Sequence, residues 1–299
     1  MRRSEAKAMS IAAPAVPRAA SDPADRPRLA NSIPFSLVHL GALGALFVPF
    51  EPRWVGLAIG LYFVRMFGVT AGYHRYFSHR SFKTSRVGQF LFAWLAMSSG
   101  QKGILWWAAH HRRHHRFADQ EEDVHSPTLR GLWWAHVGWI LSPRNNETDF
   151  ARVADLARYP ELRWLDRWYA LPPAALATAL FVWGGLPALF WGFFVSTVLL
   201  LHGTFTINSL AHLFGTRRYP TADTSRNNWF LALLTLGEGW HNNHHFYRSS
   251  ANQGFFWWEL DPTFYVLKAL SWTGLIWDLR KPPRHVVKGH LRPVARPAS

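Results

Sequence analysis

The chain has 299 residues, of which 49% are hydrophobic and 17 are Trp; 33 Lys and Arg outnumber 18 Asp and Glu, giving a formal net charge of +15. It contains no cysteine, which excludes disulfides, thiolate zinc sites, Cys-ligated iron–sulfur clusters and thiol nucleophiles. Any transition metal must be held by imidazole, carboxylate or amide groups, and histidine is abundant at 16 residues.

Residues 1–30 are rich in Ala, Pro and Arg and hold no continuous apolar core. They read as a disordered tail, not a signal peptide. The apolar run Ile33–Phe50 follows, then the turn Glu51-Pro52-Arg53, then a second run, Trp54–Thr70, interrupted by Arg65. Each is about long enough to cross roughly 30 Å of hydrocarbon. A hairpin with spans near 33–50 and 54–72 is expected, with Arg65 snorkelling or paired. Val87–Gly100 and Leu132–Leu141 are shorter and read as interfacial or buried helices. From Trp168 to Thr216 there is no Asp, Glu, Lys or Arg. That stretch is too long for one span, and Gly184-Gly185 and Pro187 break it near the middle. A second hairpin, 169–184 and 187–207, is expected.

The fold expected is therefore all-α and integral to the membrane. Four transmembrane helices form two hairpins, with five or six spans as the alternative. A membrane domain covers 31–280, with a helical cap built from 73–168 and 208–280, and a basic tail follows at 281–299. Basic residues gather in the N-terminal tail, in 73–167 and in 217–299. The positive-inside rule puts all three, and both termini, in the cytoplasm, which in a bacterium means the inner membrane. This accounts for the charge through anionic lipid and without nucleic acid, for which no reader motif is present. The many Trp suit headgroup depth, and a mean hydropathy near zero leaves room for a large polar cap.

Histidines cluster at 74 and 79, at 110, 111, 114 and 115, and at 241, 244 and 245. On a helix, positions i, i+3 and i+4 share a face. His111, His114 and His115 have that spacing, as do His241, His244 and His245. His74 and His79 are five apart and need a helix end or a distorted turn to converge. Asn208 and His212 are four apart near the end of the last span. Nine imidazoles and one amide would serve two metals of about four to six ligands each, although spacing alone does not choose among Fe, Zn, Cu and Ni. His39, His136 and His202 have no sequence neighbours completing a ligand set and read as structural. His285 and His290 lie in the basic tail and read as solvated.

At these residues the sequence resembles the membrane fatty-acyl desaturases, particularly the Δ9, stearoyl-CoA-desaturase-like group, over roughly residues 35–270. The motifs are HRYFSH at 74–79, HRRHH at 111–115, EEDVHSP at 121–127, NSLAH at 208–212 and HNNHH at 241–245 within GEGWHNNHH. The resemblance implies a mushroom-shaped all-α fold whose cytosolic cap holds a di-iron centre. The implied ligands of two Fe ions (Fe2+/Fe3+) are His74, His79, His111, His114, His115, His212, His241, His244 and His245. Asn208 would act through a water, with Asp123 and His125 behind the ligands.

The activity implied is O2-dependent insertion of a cis double bond, expected at Δ9, into a long saturated acyl chain. An unactivated methylene has no acidic proton, so that chemistry falls to the cofactor. Electrons would come from a separate ferredoxin or cytochrome-b5-like protein meeting the basic face. Eukaryotic acyl-CoA members carry an Arg-Asp pair before the second box, where this chain has Ala109 and His110. Both acyl-CoA and acyl groups of membrane lipid therefore stay open as substrates. Tunnel walls are expected from the aromatic stretches near 92–107 and 229–240. Another histidine-box oxygenase, such as an alkane or sterol hydroxylase or a carotenoid ketolase, is the nearest alternative. A metal transporter is more distant, because its site should lie near the midplane.

Overall fold

The computed structural model describes residues 25–291. The expected tail up to residue 24 and the last residues of the basic tail, 292–299, lie outside the described residues. The described residues are mostly helical, and among them the one sheet pairs Lys83–Thr84 with Ile276–Trp277, antiparallel.

Helix α1 (Leu29–Leu43) continues as a 3₁₀ turn, Gly44–Phe47. Helix α2 (Pro52–Phe67) starts on a proline, whose missing N–H costs nothing at a helix start, and runs unbroken into a π-helical segment, Gly68–Ser78. Among the described residues, three helices are long and apolar enough to cross a membrane: Leu29–Phe47, Pro52–Ser78 and Leu171–His212. The third is broken where the sequence suggests. In α6 (Leu171–Pro187), Gly184 is at φ −138°, ψ 16°, and Gly185 is at φ 64°, ψ −155°, a region open essentially to glycine alone. Leu180 before the break then packs with Ala188 and Phe193 after it, around Trp54 of α2. The chain goes on through a π-helical turn, Ala188–Val195, into α7 (Ser196–Ser209).

Arg65 pairs rather than snorkels. It is fully buried; its guanidinium donates to the Ser98 carbonyl (3.2 Å), to Thr197 Oγ1 (2.8 Å) and to Ser196. Hydroxyls and carbonyls of three segments solvate a charge that water cannot reach.

The two shorter apolar runs are helical and half-buried, with Ala93, Ala96, Met97, Val137 and Leu141 inside and Val87, Leu91 and Trp133 exposed. Helix α3 (Arg86–Met97), capped by Ser85, lies against the π-helical segment. The approach is close because Gly72 has no side chain: a Cβ there would meet the Phe92 carbonyl oxygen at 3.0 Å. The second run forms a π-helical turn, Trp134–Gly138, and a short helix, Trp139–Leu141. Helix α4 (Ile104–Phe117) starts on a carboxylate supplied from elsewhere. Asp166, in α5 (Pro160–Arg167), accepts the free N–H groups of Leu105 (2.8 Å) and Trp106 (3.1 Å). The remaining helices used below are α8 (Trp229–Leu234), α9 (His241–Phe246) and α10 (Pro262–Trp272). The main apolar core, with Tyr73, Phe77, Met97, Leu105 and Leu162 among its members, packs the π-helical segment, α3, α4 and α5 together.

Candidate metal centre

The histidine boxes arrive on four separate devices. The first rides on the π-helical segment, where bonds run from i to i+5. The His79 N–H donates to the His74 carbonyl at 3.2 Å, and the two rings come within 4.8 Å. The distorted turn that a five-residue spacing demands is this one. α4 presents His111, His114 and His115; α9 presents His241, His244 and His245; His212 sits in a 3₁₀ turn just after α7.

These nine imidazoles gather into two groups. His74, His79, His111, His115 and His244 form one, and His114, His212, His241 and His245 form the other, with ligand atoms inside each group within 4.8 Å of one another. Several nitrogens face each other directly: Nε2 of His79 and His111 at 2.9 Å, and Nε2 of His212 and His241 at 3.0 Å. Nε2 of His114 and of His245 is buried with no hydrogen-bond partner. Orphaned and mutually facing lone pairs around a common point fit a bound cation in each group. Asn208 borders a small cavity of about 30 Å³ shared with His74, His111, His114 and His241, within reach of the site but outside both groups.

Electrostatics keep most rings neutral and ready to ligate. Burial first, then neighbouring imidazoles, push His111, His115, His241 and His244 well below the usual imidazole range. Burial takes His245 down to about 4 against the pull of Asp223. At His114 burial acts the same way, but the Asp123 carboxylate overrides it and the ring is raised.

Carboxylates stand behind four of the rings. Asp123 accepts from Nδ1 of His114 (2.9 Å) and Asp223 from Nδ1 of His245 (2.9 Å); Glu238 contacts Nδ1 of His74, and Asp119 lies 3.4 Å from Nδ1 of His212. Such pairs orient a ligating ring and fix its tautomer. Sequence reasoning found Asp123 and missed Asp119, Asp223 and Glu238. Glu238 stands three residues before His241, the one local signal available. The His125 ring lies tilted against His114, centroids 4.2 Å apart, and its backbone N–H donates to Asp123. His110 is not part of either group; its Nδ1 faces the Trp106 carbonyl within α4.

A cavity of about 660 Å³ leads to this centre and touches it at His111 and Asn208. Trp106 and Trp107 line it, as expected of the stretch 92–107. The stretch 229–240 does not: α8 turns Leu231 and Ala232 inward and leaves Trp229 66% and Phe230 59% exposed. Its place is taken by α1, by Trp139–Leu141 and by α7.

The sequence pattern of the fatty acid desaturase family matches residues 52–275, which hold all three boxes. The chain belongs to the fatty acid desaturase family. A chloroplastic palmitoyl-monogalactosyldiacylglycerol delta-7 desaturase of Arabidopsis thaliana is 41% identical over 246 residues, covering 80% of this chain and 66% of that one. An sn-1 stearoyl-lipid 9-desaturase of Synechocystis sp. is 40% identical over 259 residues, covering 83% and 79%. An acyl-CoA 5-desaturase of Anemone leveillei is 38% identical over 256 residues, again covering 83% and 79%. This desaturase thus has relatives named for lipid-linked and for CoA-linked chains, and for three positions of the double bond.

Proposed function

We propose that this desaturase uses two irons to insert a cis double bond at Δ9 of a long saturated acyl chain, with O2 as co-substrate. The observation carrying this reading is a 660 Å³ cavity that reaches His111 of the five-imidazole group, with the four-imidazole group beside it. The net reaction takes R–CH2–CH2–R′, O2, two electrons and two protons to the cis alkene and two waters. The irons, when bound, would supply the activation of O2 and the oxidation of two adjacent C–H bonds.

The protein's own groups do the rest. His74, His79, His111, His115 and His244 would hold one iron and His114, His212, His241 and His245 the other, with Asn208 reaching a metal through a water. Glu238, Asp123, Asp223 and Asp119 hold ring orientation. Successive methylenes are chemically alike, so the cavity must choose the bond by where the chain stops, and Trp106 and Trp107 give it aromatic walls near His111. The Δ9 position is supported by the named activity of the Synechocystis sp. relative.

Four spans follow if the Gly184–Gly185 turn separates two membrane crossings. Positive-inside charge then puts the cap, the metal centre and both termini in the cytoplasm. An acidic ferredoxin or cytochrome-b5-like protein is the electron donor that the basic cap suits. Gas chromatography of lipids from cells expressing wild type or His244→Ala tests the reading. A new cis monoene is expected with wild type alone; hydroxylated chains, or a monoene from the mutant, would overturn it.

A further inference from the structure

Three histidines that look isolated in sequence meet outside the metal centre. His39 is on α1, His202 on α7 and His136 in the Trp134–Gly138 turn. Nε2 of His39 and Nε2 of His202 are 3.0 Å apart, and Nδ1 of His202 is 3.0 Å from Nε2 of His136. At the ends, Nδ1 of His39 is 2.7 Å from the Phe35 carbonyl oxygen, and Nδ1 of His136 is 3.0 Å from Ser209 Oγ.

The protons run one way along the row, and it closes when Ser209 turns its single hydroxyl proton to Nδ1 of His136 and not to the Phe205 carbonyl 2.7 Å away. A carbonyl only accepts, so His39 donates from Nδ1 and, as a neutral ring, accepts at Nε2. His202 must then donate from Nε2 and accept at Nδ1, and His136 must donate from Nε2. His202 spends its two nitrogens on two different partners, so the string is not a third ligand set. It is a row of neutral hydrogen bonds tying three segments together.

What it ties is a wall of the acyl cavity. On one face α1 gives Asn31, Pro34, Phe35 and Val38 to the cavity lining. On the other, Ile33, Leu37, Leu40 and Leu43 are exposed, and no residue of α1 is buried. The wall between the cavity and the outside is therefore one helix thick. Two polar ties hold it. At one end Asn31 and Asn146 exchange amide bonds (3.2 and 3.1 Å), with Asn31 also donating to the Leu141 carbonyl (3.2 Å). Two turns on stands the histidine string. Phe35 and Phe205, both in the cavity lining, pack on its rings, at 4.1 Å from His39 and 5.6 Å from His136. Pro34, between the ties, removes one intrahelical bond.

We propose that α1 is a lateral door to the acyl cavity, fastened by Asn31–Asn146 and by His39–His202–His136, through which acyl chains exchange with the bilayer. The proposal rests on the cavity being the acyl site. A chain moving sideways through this wall keeps its methylenes out of water throughout. Hydrogen bonds between membrane helices are individually weak, so ties of this kind can open within a catalytic cycle.

The absence of cysteine gives a clean test. The pair His39→Cys and His202→Cys, in the full chain in glycerolipid vesicles, is bridged with a bis-methanethiosulfonate reagent. A pyrene-labelled stearoyl lipid is loaded without reductant, and its transfer to acceptor vesicles is timed. Door opening sets the rate, as lid opening does in many enzymes, so bridging should slow transfer about tenfold or more and dithiothreitol should restore it; either single cysteine, having lost a tie, should transfer no slower than wild type, and the reagent should not slow it. Equal rates in bridged and unbridged protein would overturn the proposal. Asn31→Cys with Asn146→Cys fastens the other end and serves if the first pair does not fold. Monoene formation by the reduced, unbridged enzyme scores desaturation separately. Its absence alongside slowed transfer would count against the chemistry and leave the door standing.

Discussion

Nε2 of His244 lies 3.0 Å from Nε2 of His74, 170 residues away in sequence, and 2.9 Å from Nε2 of His115. A single ring nitrogen has either one proton or one lone pair to offer, so hydrogen bonding does not account for both neighbours. A cation shared by all three does. His244→Ala should therefore lose iron from the five-imidazole group and keep it in the other, while His241→Ala should do the reverse. Iron per chain by elemental analysis checks this; full iron content in both variants would refute the partition.

Asp123 acts through His114. Burial would raise its carboxyl, but the His114 ring and a backbone N–H hold it well below the usual carboxylate range. Asp123→Asn keeps the shape and removes the charge that orients His114. Iron affinity, titrated against a competing chelator, should fall about 10- to 100-fold, the usual cost of losing such a partner. An unchanged affinity would show that the carboxylate only packs.

Arg75 follows His74 and is fully buried between two acids. It donates to Asp261 (3.0 Å), Glu238 (3.2 Å) and the Ala251 carbonyl (2.9 Å). Arg75→Met leaves two buried carboxylates uncompensated, at a cost of about 3–5 kcal/mol. A marked fall in thermal midpoint is expected even in iron-loaded protein. Because Glu238 also contacts His74, iron affinity should fall with it.

Lys102 lines the 660 Å³ cavity, its ammonium donating to Asn146 Oδ1 (2.9 Å) and standing over Trp106. Burial pushes it down to about 8. A depressed lysine is charged below that value and loses its charge as pH rises through it. KM for an anionic glycerolipid should therefore rise between about pH 7 and 9 with kcat little changed. Lys102→Met should begin with the higher KM and show no such rise; the same slope in the variant would remove Lys102 from the explanation.

The grouping of His111, His114 and His115, and of His241, His244 and His245, was legible because each trio stands within about one helical turn, where spacing alone sets the face; the pair His74 and His79 needed the π-helical winding to converge. The break at Gly184–Gly185 was legible for a similar local reason. Asp119, Asp223 and most of what stands behind the rings were not, because they reach the site from loops whose placement depends on the whole cap. The string His39–His202–His136 was invisible for the same cause: each member is alone in sequence, and only helix packing brings them together. The stretch 229–240 reaches only the small cavity at the metal centre, through Thr235 and Glu238, because α8 turns Trp229 and Phe230 outward.

The i-to-i+5 winding of residues 68–78 makes the first box intolerant of length changes. One residue of an ordinary helix subtends about 100° of rotation. Deleting a single residue between Gly68 and Tyr73 would let the segment relax to ordinary winding and swing one imidazole of the His74–His79 pair a quarter-turn or more off its metal. Substitutions on that stretch can be absorbed by neighbouring side chains, but a shortened backbone has nowhere to recover the phase.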